Sequence, residues 1–197
     1  MSASPEVFLA GEEGRALVLG AAEVPLLQRF FERNAGYFIA VNGEPAGSGE
    51  ASEEVHGELP AGWPFTRKWV VGIVGADGEL VAMVNVVSDL LTRGVWHIGL
   101  FMVASERWGQ GAGQALLRRL EAWARAGGAT WLRLGVVEGN ARAERFWEHA
   151  GFVDARRREG IAMGRRVNTV RVMAKPLAGG ELRDYLALVP RDEPSAP

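Results

Sequence analysis

Between the apolar run 95–103 and a long amphipathic segment that opens at Gln114 stand three alternating glycines, Gly109, Gly111 and Gly113. The first amides of a helix have no internal partners, and the helix dipole adds partial positive charge at the same end. Glycine removes the Cβ atoms that would keep a phosphate from reaching those amides. A strand, a glycine-rich turn and a helix start, in that order, build an anion site from backbone alone. The ligand this predicts carries a phosphate, since a bare turn needs fewer glycines.

The rest of the composition narrows the chemistry. There is no cysteine, which removes disulfides, thiolate catalysis and cysteine-ligated metals. The three histidines, His56, His97 and His149, lie far apart and lack metal-ligand spacing. A formal net charge of −2 argues against broad nucleic-acid binding. Glu6, Glu12 and Glu13 interrupt the start of the chain, no run reaches the length of a membrane span, and a cytoplasmic protein is expected.

Elements that would hold the glycine turn follow from periodicity. A helix is predicted over 22–33, with Pro25 in its first turn and Leu26, Leu27, Phe30 and Phe31 as its apolar stripe. The polar stretch 42–64 reads as loop around a short helix at 51–58. Strands 69–74 and 80–87 are joined by Gly75-Ala76-Asp77-Gly78, a hairpin signal. Strand 95–103 is apolar on both faces and so belongs in the middle of a sheet. A helix 114–125 ends at Gly127-Gly128, where a left-handed cap is expected. Strand 130–137 follows, then Asn140 as the N-cap of a helix over 141–149 stopped by Gly151. Strands 152–158 and 167–175 close the pattern, and residues 191–197 read as disordered. The order gives an α/β fold with a mixed, largely antiparallel sheet flanked by helices. A single domain over 1–178 is expected, with its core at 68–175, an N-terminal helical and loop region at 22–66, and a C-terminal extension at 179–197.

Two segments in this order resemble the GNAT superfamily of acyl-CoA-dependent N-acetyltransferases. Trp108-Gly109-Gln110-Gly111-Ala112-Gly113 is similar to the family's (Gln/Arg)-x-x-Gly-x-(Gly/Ala) pyrophosphate loop. The run from Asn140 to Phe152 is similar to the family's Asn-x-x-Ala-x-x-(Leu/Phe)-Tyr-x-x-x-Gly-Phe segment. With the preceding hairpin, the likeness covers roughly 68–158. It implies acetyl-CoA as acyl donor, a pair of central strands splayed at a bulge, and transfer to a primary amine of a small molecule or a protein. The pantetheine arm would pair with the backbone at Phe101, Met102 and Val103, the pyrophosphate with the amides from Gly109 to Gln114, and the arm again with Asn140. Homodimers are common in the family; neither nucleic acid nor membrane is implied as a partner.

Two positions depart from the family pattern. Trp108 stands where Arg or Gln is usual, removing a side-chain phosphate contact. Trp147 stands where the family's general-acid Tyr often sits, and an indole N–H does not release a proton near neutral pH. On the strand before the loop, His97 falls where histone-acetylating members carry a Glu base, and an ordinary imidazole pKa near 6.5 suits that task. Gly135 fills the position of the Glu base used by some ribosomal-protein-acetylating members, so that option is absent.

Weaker signals surround these. Glu44, Glu50, Glu53, Glu54 and Glu58 form an acidic stretch able to attract a cationic amine, although a solvated loop explains them. Arg156, Arg157, Arg158, Arg165 and Arg166 bracket the last hairpin, and Trp63, Phe65 and Trp69 are candidates for an acceptor pocket or for core. A Rossmann dinucleotide unit fits poorly, because its third glycine would fall at Gln114. A non-catalytic acyl-CoA sensor or scaffold is the remaining alternative.

Overall fold

A computed structural model describes residues 4–12 and 14–195. In chain order the elements are α1 (Pro5–Leu9), β1 (Arg15–Val18), α2 (Val24–Arg33), α3 (Ala35–Asn42), α4 (Glu50–His56), β2 (Arg67–Val74), β3 (Leu80–Ser88), β4 (Val95–Val103), α5 (Ala112–Ala126), β5 (Trp131–Val137), α6 (Ala141–His149), β6 (Val153–Met163), β7 (Arg166–Pro176) and α7 (Leu182–Leu188). The seven strands form one sheet in the order β1-β2-β3-β4-β5-β7-β6. Every pairing is antiparallel except β4 with β5. The β2–β3 hairpin closes as its turn residues require, with Gly78 at φ +82° and the Gly75 amide donating to the Glu79 carbonyl. Among the described residues no helix is long and apolar enough to cross a membrane.

Period-two alternation along the strands sends side chains to two separate cores. On one face Val71, Ile73, Trp96 and Ile98 pack against Leu116, Leu120 and Trp123 of α5 and Trp147 of α6. Trp69, Trp96 and Trp123 form the aromatic centre there, with ring centroids 5.0–5.6 Å apart. On the other face Val70, Met83, Leu100 and Met102 meet Leu27, Phe30 and Phe31 of α2 and Phe38 of α3. Further along that face, Tyr185 and Val189, in and after α7, cover Val95, Trp131 and Ala174.

The sequence reading misses the short helices α1 and α7 and differs from the structure elsewhere too. Residues 35–42 are helix, not the edge of a loop, and Arg15–Val18 adds an edge strand to β2. Where disorder is predicted from Arg191, the chain instead makes a 3-10 turn over Pro190–Asp192, and the Asp192 side chain is wholly buried. The reason is long-range: a carboxylate in a polar tail finds a guanidinium on β5. Ala196 and Pro197, in the same expectation, lie outside the described residues.

Candidate functional site

The parallel pairing of β4 and β5 runs from Val95 opposite Trp131 to Ile98 opposite Leu134 and stops there. On the other edge of β4, Ile98 faces Val86 and Leu100 faces Asn85, so Gly99 is an extra residue, a β-bulge. The bulge reverses the alternation, leaving Ile98 in the α5-side core and Leu100, two residues later, in the α2-side core. Beyond Gly99 the β4 edge that faced β5 has no strand partner among the described residues. The gap widens into a cleft of about 920 Å³ lined by residues from both faces of the sheet.

At the α5 side of this cleft the glycine turn does what its composition requires. Gly109 and Gly111 have φ +76° and +82°, a left-handed backbone that side chains with a Cβ rarely adopt. Gly111 is the N-cap of the 15-residue α5, so the first amides of that helix face the cleft without a side-chain cap. A Cβ on Gly113 would come within 3.2 Å of the Phe146 ring. Trp108, 41% exposed, donates its indole N–H to the Val103 carbonyl at 2.9 Å. The Arg142 guanidinium stacks 3.8 Å above its ring. Arg142 and Arg107 both line the cleft, so cations stand beside a loop whose own first position is not one.

Phe101, Met102, Val103, Trp108, Gly109, Gly111, Ala112, Gly113, Gln114, Asn140 and Trp147 are brought together on this cleft. Gln110 is the exception among the expected contacts: its carboxamide turns back to donate to the Glu106 carbonyl. Asn140 caps α6 by accepting from the Ala143 amide, which leaves its NH2 for a ligand. Trp147 is largely buried, edge-on to Phe101, Phe146 and Phe152 at 4.8–5.3 Å, and forms part of an aromatic floor.

His97, opposite Arg133 across the β4–β5 pair, lies on the α3 face of the cleft. Arg133 donates from Nε and Nη2 to the two carboxylate oxygens of Asp192 at 2.7 and 3.0 Å. Tyr185 donates to Asp192 at 2.6 Å. The remaining Arg133 nitrogen, Nη1, lies 3.3 Å from His97 Nδ1. Burial, and then the Arg133 charge, push the His97 pKa down to about 3. The ring is therefore neutral at physiological pH, an environment opposed to the general-base role that the sequence suggests.

Around this group the α3 face supplies residues that sequence reasoning missed. Tyr37, from the overlooked helix α3, lines the cleft, and burial, with Glu54 and Glu50 nearby, raises its phenol pKa so that it stays protonated. The β6–β7 hairpin folds against α3, with Arg166 donating to the Ala40 carbonyl and Asn168 to that of Val41. Of the tryptophan and phenylalanine candidates Trp63 reaches the cleft, Phe65 is exposed and Trp69 is core. Of the acidic stretch, Glu44 pairs with Arg165 and Glu54 accepts from Asn85 at 2.6 Å. The hairpin arginines divide: Arg157 pairs with Glu138, and Arg158 lines the cleft.

A family model described as the acetyltransferase (GNAT) family matches residues 11–152. Among curated proteins none matches the chain. Solved structures share the fold at low identity. The ribosomal-protein-S18-alanine N-acetyltransferase of Escherichia coli aligns with a TM-score of 0.60 and 18% identity, over 84% of this chain and 95% of its own. The spermidine N-acetyltransferase of Vibrio cholerae, in complex with CoA and spermine, gives 0.63 and 15% over 85% and 98%. An acetyltransferase from Thermus thermophilus gives 0.61 and 18% over 82% and 95%.

Proposed function

Because this chain belongs to the GNAT acetyltransferase family, we propose that it moves an acetyl group from acetyl-CoA to a primary amine by direct attack within a ternary complex. The observation that carries the proposal is one continuous cleft joining the parted strands β4 and β5 to the uncapped start of α5. Backbone amides from Gly109 to Gln114 hold the pyrophosphate, and Arg142, stacked on Trp108, adds the cation missing from the loop. The free edge of β4 at Phe101, Met102 and Val103 pairs with the pantetheine amides, and the Asn140 NH2 donates to the same arm. Acetyl-CoA supplies an activated thioester carbonyl; the amine lone pair attacks it, the C–S bond breaks, and CoA leaves as a thiolate that takes its proton from solvent.

Proton traffic in this mechanism runs without a histidine base. His97, buried, neutral and accepting from Arg133 at Nδ1, is a poor acceptor for the amine's proton. The amine must arrive deprotonated and shed its second proton to solvent through the open cleft.

One observation favours the alternative of an acyl-CoA sensor: neither Trp147 nor neutral His97 is suited to carry a proton. Calorimetric titration with acetyl-CoA, followed by thiol release across a panel of amines, separates the readings. Binding with release supports the enzyme, and binding without release supports the sensor. Failure to bind acetyl-CoA overturns both.

A further inference from the structure

We infer that the amine acceptor carries an anionic group, a carboxylate or phosphate, and that Arg158 docks it on the α3 face of the cleft. The inference rests on the acetyltransferase reading above and extends it to the class of acceptor. Among the described residues every charged side chain lining the cleft is an arginine: Arg107, Arg133, Arg142 and Arg158. The first and third stand by the phosphate loop on the α5 face. Arg133 is neutralised by Asp192.

Arg158 is left over. It is half-buried on β6, and among the described residues no carboxylate forms an ion pair with it. The one acid that attracts it, Asp192, already accepts two bonds from Arg133 and one from Tyr185. Other cations crowd it. Arg191 is held 4.1 Å over the Trp63 ring, and Arg156 donates to the Arg191 carbonyl at 2.7 Å. Burial first, then repulsion from Arg191 and Arg133, disfavour the charged form of Arg158. A half-buried guanidinium among like charges is stabilised by an anion, and its planar fork matches carboxylate and phosphate oxygens. Because the cleft is lined from both faces of the sheet, this anion is not the cofactor's pyrophosphate, whose loop lies at the α5 end. An acceptor that spans from Arg158 toward His97 would present its amine where β4 and β5 part.

Two measurements test this. Thiol release is compared for leucine and methionine, for their α-amides, for phosphoethanolamine and for putrescine. The anionic amines should exceed the amides and putrescine by about ten-fold or more in kcat/KM. Arg158→Gln should shrink that ratio by a similar factor and Arg158→Lys should restore part of it, while the KM for acetyl-CoA reports on the other end of the cleft. A ratio near one, a preference for putrescine, or a preference that Arg158→Gln leaves intact overturns the inference. Equilibrium titration of the same acids into the CoA-loaded protein reads the contact without turnover. Arg158-dependent binding with no thiol release would sink the enzyme reading and leave the anion site standing; absence of binding to wild type overturns the site itself.

Discussion

Arg133 Nη1 and His97 Nδ1 stand 3.3 Å apart, and the guanidinium has no lone pair with which to accept. The imidazole nitrogen is therefore the acceptor, and the single proton of the neutral ring sits on Nε2. That contact sets the tautomer, and burial together with the Arg133 charge keeps the ring neutral.

If solvent rather than His97 takes the amine proton, kcat/KM for an alkyl amine should climb with unit slope until the amine's own pKa. No inflection belonging to an imidazole should appear between pH 5 and 8. His97→Gln should keep that profile and lose less than about ten-fold in rate. A loss of roughly 100-fold with a flattened acid limb would restore His97 as base.

The same histidine makes stability depend on pH. Its pKa is about 3 in the fold against an ordinary 6.5, so between these values the unfolded chain binds the extra proton. The contribution is fully present above pH 6.5 and is lost as pH falls toward 3, with a slope of at most about 1.4 kcal/mol per pH unit. Urea unfolding at pH 7 and pH 5 should show the decline, and His97→Gln should reduce it.

Asp192→Asn should destabilise by about 3–5 kcal/mol, because it leaves the Arg133 guanidinium buried without its counter-charge. Burial alone would raise the Asp192 pKa, but the hydrogen bonds and charge of Arg133, with the Tyr185 hydroxyl, hold it below the usual carboxylate range. The stability it contributes is thus complete above that range and is lost as pH falls through the depressed pKa of the folded state. Chemical denaturation of the variant at pH 7, with acetyl-CoA titration as a check on the distant loop, measures the effect.

Gly111→Ala places a Cβ on a residue at φ +82°, at a cost of about 1–2 kcal/mol. Relief by local distortion would move the first α5 amides, so acetyl-CoA affinity should weaken by roughly ten-fold or more. Arg142→Ala should weaken it by a comparable factor without the loss in melting temperature, and a gentler salt dependence of binding should accompany the change. Calorimetry and thermal melts of the two variants separate backbone strain from lost charge.

What the sequence made legible was local. The 3.6-residue stripe of Leu116, Leu117 and Leu120 and the alternation of β2 and β3 specify elements within a few residues of themselves. Gly109 and Gly111 likewise announce a backbone that few other residues accept. Helix α3 escaped because Ala35-Gly-Tyr-Phe-Ile-Ala-Val-Asn42 is apolar nearly all round, which is a buried-helix pattern with no amphipathic stripe to detect. The charge state of His97 was hidden for a different reason. It is set by burial in the folded sheet and then by Arg133, 36 residues on, whose own partner Asp192 lies 59 residues further. Nothing near His97 in the chain distinguishes a base of pKa 6.5 from one held neutral. Arg158 was visible only as one of five arginines until the hairpin folded and its neighbours found partners.

The parting of β4 from β5 at Gly99 also bears on kinetic order. A sheet is ordinarily a wall, and here the wall has a gap whose lining comes from both of its faces. Neither molecule needs to vacate the gap for the other to enter, and no group on the protein has to store the acetyl between two half-reactions. Double-reciprocal plots that intersect, rather than run parallel, are the signature such a two-sided gap leaves on the steady state.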